Sequence, residues 1–310
     1  MRILVAGATG VVGRRLIPQL VRAGHEVTAV VRSSAKARAV EAQGAVPLQI
    51  DLFDPFVVER TTRGTDAIIN LATSIPPSSR AALPWAWREN TRVRRHVSAN
   101  LAHAALANDV KTFIQESFAP IYADGGDAWL DEDAPIKPAS YNRALLDAED
   151  AVRRFTAHAS APCAGIVLRF GLFYGGDSSF TQDMIRAVRK GIAVAFGDSR
   201  GYVSSISHDD AASAVAAALG VSSGTFNVVD DEPLRRRDYY DAIASAIGAP
   251  PPRFPPRWLW RLFGSIGETL ARSQRISNAR FKAASGWAPR YRSAREGFAA
   301  LVQSRAESDG

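Results

Sequence analysis

The sequence predicts an α/β fold: a doubly wound parallel sheet with a smaller, interleaved C-terminal lobe. Two observations support this fold class. Short apolar stretches alternate with helical patterns from residue 2 to residue 170, the rhythm of βαβ units. The chain also opens with a strand, a glycine turn and a helix, in that order. Its 310 residues are enough for one large domain with an appended lobe.

The opening segment has the pattern of a pyrophosphate site. The short apolar run Arg2 to Ala6 predicts a buried strand, and Arg14 to Ala23 has a helical pattern. Between them stand Gly7, Gly10 and Gly13. Gly7 permits a tight turn, Gly10 lets the backbone approach phosphate oxygens, and Gly13 lets the helix lie close to the strand. Because a helix N-terminus attracts anions, the segment predicts a dinucleotide-binding site.

The spacing Gly-x-x-Gly-x-x-Gly resembles the extended and atypical branches of the short-chain dehydrogenase/reductase superfamily, the branches of epimerases and dehydratases. Later motifs extend the resemblance over about residues 1–303. The expected divisions are a Rossmann-type domain over residues 1–175 with strand contributions from about 200–230, a mainly substrate-binding lobe over 176–304, and a disordered tail over 305–310.

The resemblance implies which residues contact the cofactor. The predicted set is Gly7, Thr9, Gly10, Val11, Val12, Gly13, Arg32, Ser33, Asp51, Leu52, Leu71, Ala72, Tyr141, Phe170 and Leu172. We expect NADP(H) rather than NAD(H), because no acidic residue follows the second predicted strand to bind a ribose 2′-hydroxyl. Arg32 offers a planar fork for a phosphate there. The alternative is that Arg32 is an ordinary surface residue and that NAD(H) binds.

The proton-transfer residues of the resembled family are incomplete in this chain. Tyr141 matches the tyrosine of the family's Ser-x-Tyr-x-x-x-Lys motif, but Leu145 stands where the lysine belongs and Phe118 where the catalytic serine belongs. The lysine lowers the pKa of the phenol and the serine holds a carbonyl group. We therefore expect Tyr141 to be a poor base. Ser117 is the predicted replacement for the serine, and Glu116 is a further candidate.

Composition and charge narrow the class of protein. The net charge is +7, but the local cluster Arg92, Arg94 and Arg95 is interpreted as a solvated helix face, so nucleic acid is not an expected partner. A single cysteine, Cys163, excludes an internal disulfide and fits a reducing cytoplasm. We predict no signal peptide, no membrane span and no metal site. A small molecule is the expected partner.

Three functions remain open at this point. The first is an NADP(H)-dependent oxidoreductase or epimerase-like enzyme on a small hydroxyl or carbonyl substrate, with Tyr141 as proton donor. The second is non-redox cyclisation, isomerisation or dehydration on the same scaffold, and the third is a non-catalytic NADP(H) sensor. The glycine turn favours a cofactor, whereas Leu145 and Phe118 argue against standard hydride chemistry. The resemblance also implies a homodimer formed by the helices at 84–107 and 141–158.

Overall fold

The structure is a computed structural model that describes residues 1–256 and 258–308. Its centre is a seven-stranded parallel sheet, and shorter strand pairs lie outside that sheet. The strands are β1 (Arg2–Ala6), β2 (Glu26–Val31), β3 (Val46–Gln49), β4 (Ala67–Asn70), β5 (Thr112–Phe118), β6 (Trp129–Leu130), β7 (Ala164–Phe170), β8 (Leu172–Tyr174), β9 (Tyr202–Val203), β10 (Ser205–Ser207), β11 (Gly224–Val228), β12 (Leu234–Arg235) and β13 (Arg275–Ile276).

Helices connect these strands and cover both faces of the main sheet. The α-helices are α1 (Gly13–Arg22), α2 (Ser34–Glu41), α3 (Pro55–Thr61), α4 (Arg88–Arg92), α5 (Ser98–Ala107), α6 (Ala144–His158), α7 (Ser179–Arg189), α8 (His208–Ala218), α9 (Arg236–Ala246), α10 (Gly264–Ala271), α11 (Ala279–Ser285) and α12 (Ala294–Ser308). A π-helical turn, Val93–Val97, joins α4 to α5, and short 3₁₀ helices occupy Ser78–Arg80, Pro84–Trp87, Ala119–Ile121 and Leu259–Phe263.

Strand β1 shows why the sheet forms at the centre. Ile3 and Val5 belong to one apolar core, while Leu4 and Ala6 belong to the core on the opposite face. A parallel strand that is covered on both faces needs such a continuous apolar run. The strand predicted over Arg2 to Ala6 is therefore confirmed.

The order across the main sheet is β3-β2-β1-β4-β5-β7-β11, and all its pairings are parallel. The order reverses direction between β1 and β4. In open α/β sheets a crevice forms at this switch point, beyond the carboxyl ends of the strands. The glycine turn leaves β1 there, and the loop of residues 71–83 leaves β4 there. The doubly wound Rossmann-type fold predicted from the sequence is confirmed.

The second lobe has its own core, formed mainly by α7, α9 and α12. The Phe298 ring lies 5.0 Å from the Tyr174 ring and 5.5 Å from the Tyr239 ring, between centroids. The chain enters this lobe after β8 and returns to the main sheet through β11, which pairs with β7. Helix α12 includes residues 305–308 of the tail for which the sequence predicts disorder, and residues 309–310 lie outside the described residues.

No helix in the described ranges has the length and apolar character that crossing a membrane requires.

Candidate active site

The glycine turn has the geometry of a cradle. Gly7 has φ +81°, and a Cβ there would lie 2.4 Å from the Leu71 carbonyl oxygen. A Cβ at Gly13 would lie 2.3 Å from the Gly7 carbonyl oxygen, so only glycine lets α1 approach β1 this closely. A Cβ at Gly10 would meet a single atom within 4 Å, the Gly7 carbonyl oxygen at 3.2 Å. Gly10 is exposed, so its missing side chain leaves room for a phosphate.

A cleft with a cavity volume of about 700 Å³ runs from this cradle to the second lobe. The predicted contact residues that line it are Gly7, Gly10, Val11, Val12, Gly13, Leu71, Tyr141 and Leu172. Much of the remaining lining is apolar: Ile75, Pro76, Pro77, Ala81, Trp87, Phe118, Leu145, Phe173, Phe180, Ile266 and Leu270. A cleft of this size with a mainly apolar surface is typical of a small-molecule site.

Four predicted contact residues lie at the outer end of the same sheet edge, beyond the cleft lining. Arg32 is exposed at the end of β2, and Ser33 stands at the N-cap position of α2. Asp51 is exposed, and its carboxylate accepts a hydrogen bond of 2.9 Å from the Phe53 amide. Leu52 packs against an apolar core. Their places on the carboxyl edge next to β1 suit contacts with the nucleoside end of a dinucleotide.

Of the three remaining predicted contact residues, Thr9 and Ala72 lie close to the cradle, and Phe170 lies away from the cleft. Thr9 is half-buried within the glycine turn, and the Ala72 amide donates to the Asn70 side chain over 3.1 Å. Phe170 is 0% exposed and packs on Phe173, with ring centroids 5.3 Å apart. The structure therefore does not bring Phe170 to the cleft. The chain turns after β7, so Phe173 lines the cleft instead.

Ser117 is also not brought into the cleft. Successive residues of a strand point to opposite sides, and on β5 Glu116 and Phe118 line the cleft. The Ser117 hydroxyl is fully buried on the other side, where it donates a 2.6 Å hydrogen bond to Glu149. Glu149 also accepts two hydrogen bonds from Arg169, over 2.9 and 2.7 Å. Ser117 therefore belongs to a structural network behind the cleft.

Tyr141 lines the cleft, but its surroundings oppose ionisation. Burial raises the pKa of the phenol to about 12, and smaller interactions with Thr269 and Arg272 act in the opposite direction. Its ring packs edge-on against Trp87, with centroids 4.7 Å apart. Leu145, where the resemblance predicts the family's lysine, is 1% exposed and brings no charge. Tyr141 is therefore a neutral phenol, able to donate a hydrogen bond but unsuited to act as a base.

A charged pair stands on the cleft wall. Arg94 Nη2 donates to Glu116 Oε1 over 3.0 Å, and Arg94 Nη1 lies 2.8 Å from Glu116 Oε2. The side chains are only 5% and 8% exposed. The interpretation of Arg94 as part of a solvated face is wrong, because the π-helical turn Val93–Val97 places its side chain inward while Arg95 stays exposed. Periodicity in the sequence does not reveal a π-helical turn.

Asp177 connects the second lobe to the start of α1 through ion pairs with arginine side chains of that helix. Its carboxylate accepts from Arg15 Nη1 over 2.7 Å, pairs with His208 Nδ1 at 2.9 Å and contacts Arg14. Burial acts to raise the pKa of Asp177, but the hydrogen bonds from His208 and Arg15 outweigh it and hold that pKa below its usual range. The part of the chain that the structure describes contains no cluster of three His, Cys, Asp or Glu side chains placed to hold a metal ion.

The fold and the cleft together define a class of protein. A glycine cradle at the switch point, with Tyr141 beside an apolar pocket, is the arrangement of a dinucleotide-dependent enzyme of the short-chain dehydrogenase/reductase type. More particularly, the chain belongs to the NAD dependent epimerase/dehydratase family, whose sequence model matches residues 3–228. It is thus an NAD(P)-dependent, oxidoreductase- or epimerase-like enzyme.

Named relatives include two reductases. A 3-diazoavenalumate denitrifying reductase from Streptomyces sp is 32% identical over 96% of this chain and 99% of its own length. A 2-alkyl-3-oxoalkanoate reductase from Stenotrophomonas maltophilia is 24% identical over 81% of this chain and 77% of its own length.

Solved structures agree on the fold. The human epimerase family protein SDR39U1, solved with NADPH, has a TM-score of 0.80 at 20% identity and covers 98% of this chain and 99% of its own. UDP-glucose 4-epimerase from Thermotoga maritima, solved with UDP-glucose, has a TM-score of 0.80 at 19% identity and covers 100% of both chains.

Proposed function

We propose that this protein is an NADP(H)-dependent reductase whose substrate is an aromatic diazonium acid, a hydride acceptor that needs no proton from the protein. The observation that carries the proposal is the apolar replacement of the proton relay by Leu145 and Phe118 beside a neutral Tyr141. A carbonyl group that accepts hydride becomes an alkoxide and needs a proton or a hydrogen-bond donor. A cationic acceptor becomes neutral and needs neither.

The leucine at position 145 also fits a cationic substrate. A lysine there would place a positive charge next to the acceptor. Two like charges about 4 Å apart repel by about 4 kcal/mol at an effective dielectric constant of about 20. Leu145 removes this repulsion, and the aromatic side chains of Trp87, Phe118 and Phe173 offer flat apolar surfaces to a planar ring.

One relative supports the same class of substrate, whereas the Stenotrophomonas relative is named for an oxoalkanoate, a carbonyl compound. The Streptomyces relative is named for reduction of a diazo acid, and its similarity extends over nearly the whole of both chains. Neither of the two named reductases is described as acting on a nucleotide sugar. The apolar lining of the cleft likewise suits a compact aromatic acid better than a sugar, whose hydroxyl groups need many hydrogen-bonding partners.

The cofactor would lie with its pyrophosphate on the amides of residues 7–13 and its nucleoside end near Arg32. The missing Cβ of Gly10 and the exposed guanidinium of Arg32 fit NADP(H), the cofactor form found with the human relative. When bound, it supplies the hydride in the overall reaction ArN₂⁺ + NADPH → ArH + N₂ + NADP⁺. The apolar wall around Leu145 and Phe118 keeps water from the acceptor.

The test combines cofactor binding with turnover. Nicotinamide fluorescence measures NADPH binding, and absorbance at 340 nm follows its oxidation with 4-diazobenzoate or with a panel of aldehydes and ketones. We expect tight binding, enzyme-dependent oxidation with the diazonium salt, and one benzoate and one N₂ formed per NADPH. The reaction without enzyme is subtracted, because diazonium salts also oxidise NADPH in solution. Binding without any turnover, or faster turnover of carbonyl compounds, would overturn the proposal.

A matched pair of variants tests the charge argument. Leu145→Lys should lower kcat/KM for 4-diazobenzoate at least about tenfold through repulsion of the cation, whereas Leu145→Met should stay close to the parent. If the lysine variant is as active as the methionine variant, the charge at this position does not select the substrate.

Cofactor preference gives a separate prediction. Arg32→Asp should weaken NADPH binding about 10- to 100-fold, because a charge-assisted contact with the 2′-phosphate is lost and repulsion is added. NADH binding should improve or remain unchanged. Arg38→Asp makes the same charge change at an exposed position on α2 and is the control. Equal effects of both variants on NADPH would show that Arg32 makes no specific contact.

The pKa of Tyr141 gives a prediction about pH. A phenol with a pKa of about 12 stays protonated throughout the neutral range, so it contributes no ionisation to the rate there. Tyr141→Phe should lower kcat/KM less than about tenfold, against the 10²–10⁴-fold typical of a lost acid or base. The kcat/KM profiles of both proteins between about pH 6 and pH 9 should have the same shape. A basic limb that disappears in the variant would contradict this.

A further inference from the structure

We infer that Arg94 and Glu116 form a carboxylate-binding subsite on the wall of the cleft. Arg94 would bind an acidic group of the aromatic substrate, and Glu116 would act as the positioning residue that holds the guanidinium. The inference rests on the proposed function, because the group that Arg94 would bind is the carboxylate of the proposed aromatic acid substrate. It adds the residues that select an acid over an uncharged compound.

The geometry leaves one edge of the guanidinium for a ligand. Glu116 Oε1 accepts a hydrogen bond from Arg94 Nη2 over 3.0 Å, and Oε2 lies 2.8 Å from Arg94 Nη1 without a hydrogen bond of its own among the described residues. A guanidinium carries five N–H donors. Within the described part of the chain, Nε of Arg94 makes no hydrogen bond. The Nε and Nη2 N–H groups on this side of the guanidinium can therefore donate to a second carboxylate.

Stability alone does not account for this pair. Both side chains lie at least nine-tenths buried, and desolvation of two charges cancels most of their attraction. Apolar residues of the same volume would serve the fold as well or better. The π-helical turn that carries Arg94 is rare and is often found at functional sites. Both side chains line the cleft, whose lining also includes Tyr141 and Leu145.

The charge distribution of the cleft points to Arg94. Among the described residues that line it, the charged or ionisable acidic and basic side chains other than Arg94 and Glu116 are Asp177 and His208. These two pair with each other next to the cradle, 2.9 Å apart. The substrate half is otherwise mainly apolar, and a carboxylate transferred into it is costly unless a cation meets it. Arg94 is the cation in that half.

The experiment measures equilibrium binding and needs no turnover. Cinnamate and its uncharged analogue cinnamamide are titrated by calorimetry into the full-length protein saturated with NADP⁺. The double variant Arg94→Gln, Glu116→Gln keeps a neutral polar pair and avoids leaving one buried charge alone. We expect it to bind cinnamate at least about 30-fold more weakly and cinnamamide within about threefold of the parent.

Two further variants separate binding from structure. Glu116→Gln alone keeps the Arg94 charge but weakens the contact that positions its guanidinium, so cinnamate should bind more weakly than to the parent and more tightly than to the double variant. Arg95→Gln removes an exposed arginine on the same helical segment and should change neither affinity. Circular dichroism and NADP⁺ affinity establish that each variant is folded.

The outcomes distinguish this inference from the proposed function. Equal losses of cinnamate and cinnamamide in the double variant would overturn the subsite, as would equal binding of the two ligands by the parent. If Arg94 is required for the preference for cinnamate but 4-diazobenzoate is not reduced, the subsite is supported and the proposed reaction is contradicted. If the diazonium salt is reduced and the parent binds cinnamate no more tightly than cinnamamide, the reaction is supported and the subsite is contradicted.

Discussion

Substitution of Gly10 by valine is expected to weaken NADPH binding more than about 100-fold while the protein remains folded. Among the described residues, the Cβ at this position would meet one atom within 4 Å, the Gly7 carbonyl oxygen at 3.2 Å, and the rest of the side chain would extend into the cleft. It would occupy the space where the pyrophosphate approaches the backbone, and a ligand cannot displace a side chain held on the main chain. Nicotinamide fluorescence measures the affinity, and thermal unfolding measures the fold.

Gly13→Ala is the matched comparison in the same turn. Gly10→Val should mainly weaken NADPH binding, whereas Gly13→Ala should mainly lower stability. Its Cβ would lie 2.3 Å from the Gly7 carbonyl oxygen and 2.6 Å from the Ala8 carbonyl oxygen. Both contacts are with backbone, so α1 must move away from β1 and the melting temperature should fall markedly. If Gly10→Val binds NADPH within a few-fold of the parent, the assignment of the cradle is wrong.

Loss of the buried Glu149 carboxylate is expected to have the largest effect on stability. Glu149→Ala should lower the free energy of unfolding by about 3–5 kcal/mol, because it leaves the Arg169 charge buried without its partner. The same carboxylate accepts the Ser117 hydroxyl, which would lose its hydrogen bond as well. Urea unfolding, followed by circular dichroism, gives the change directly.

An exposed ion pair is the control for this prediction. Asp150 pairs with Arg154 on the solvent side of α6, where both side chains are at least 40% exposed. Asp150→Ala should change stability by less than about 1 kcal/mol. A small effect of Glu149→Ala, similar to that of Asp150→Ala, would mean that Arg169 finds water or another partner when the carboxylate is removed.

Much of the site was predictable because its signals are local. The glycine spacing and the apolar run before it specify a strand, a turn and a helix that contact one another directly. The resemblance also predicts that Leu145 replaces the family's lysine and Phe118 its serine. Leu145 is four residues after Tyr141, and Phe118 is four residues before Tyr122. The structure adds the consequence for Tyr141, whose burial raises the pKa of the phenol to about 12.

Other residues could not be placed by spacing. Ser117 was a candidate because it stands next to the expected catalytic position, but the alternation of side chains along β5 turns it toward Glu149. Phe170 was expected at the cofactor and is buried in the core. The charge cluster predicts a solvent-exposed Arg94, but a π-helical turn directs its side chain to the cleft.

By itself, therefore, the sequence of this protein determined the Rossmann-type alternation of strands and helices and the glycine turn after the first strand, and it predicts a phosphate site and the absence of the family's serine and lysine. These features depend on residues that are neighbours along the chain or that recur with the period of a helix or strand. The tertiary structure alone decided which polar side chains near β5 face the cleft: Arg94 and Glu116 do, and Ser117 does not. Burial and side-chain direction at those positions result from the packing of α6 against β5 and against the π-helical turn Val93–Val97, from both of which α6 is separated in sequence.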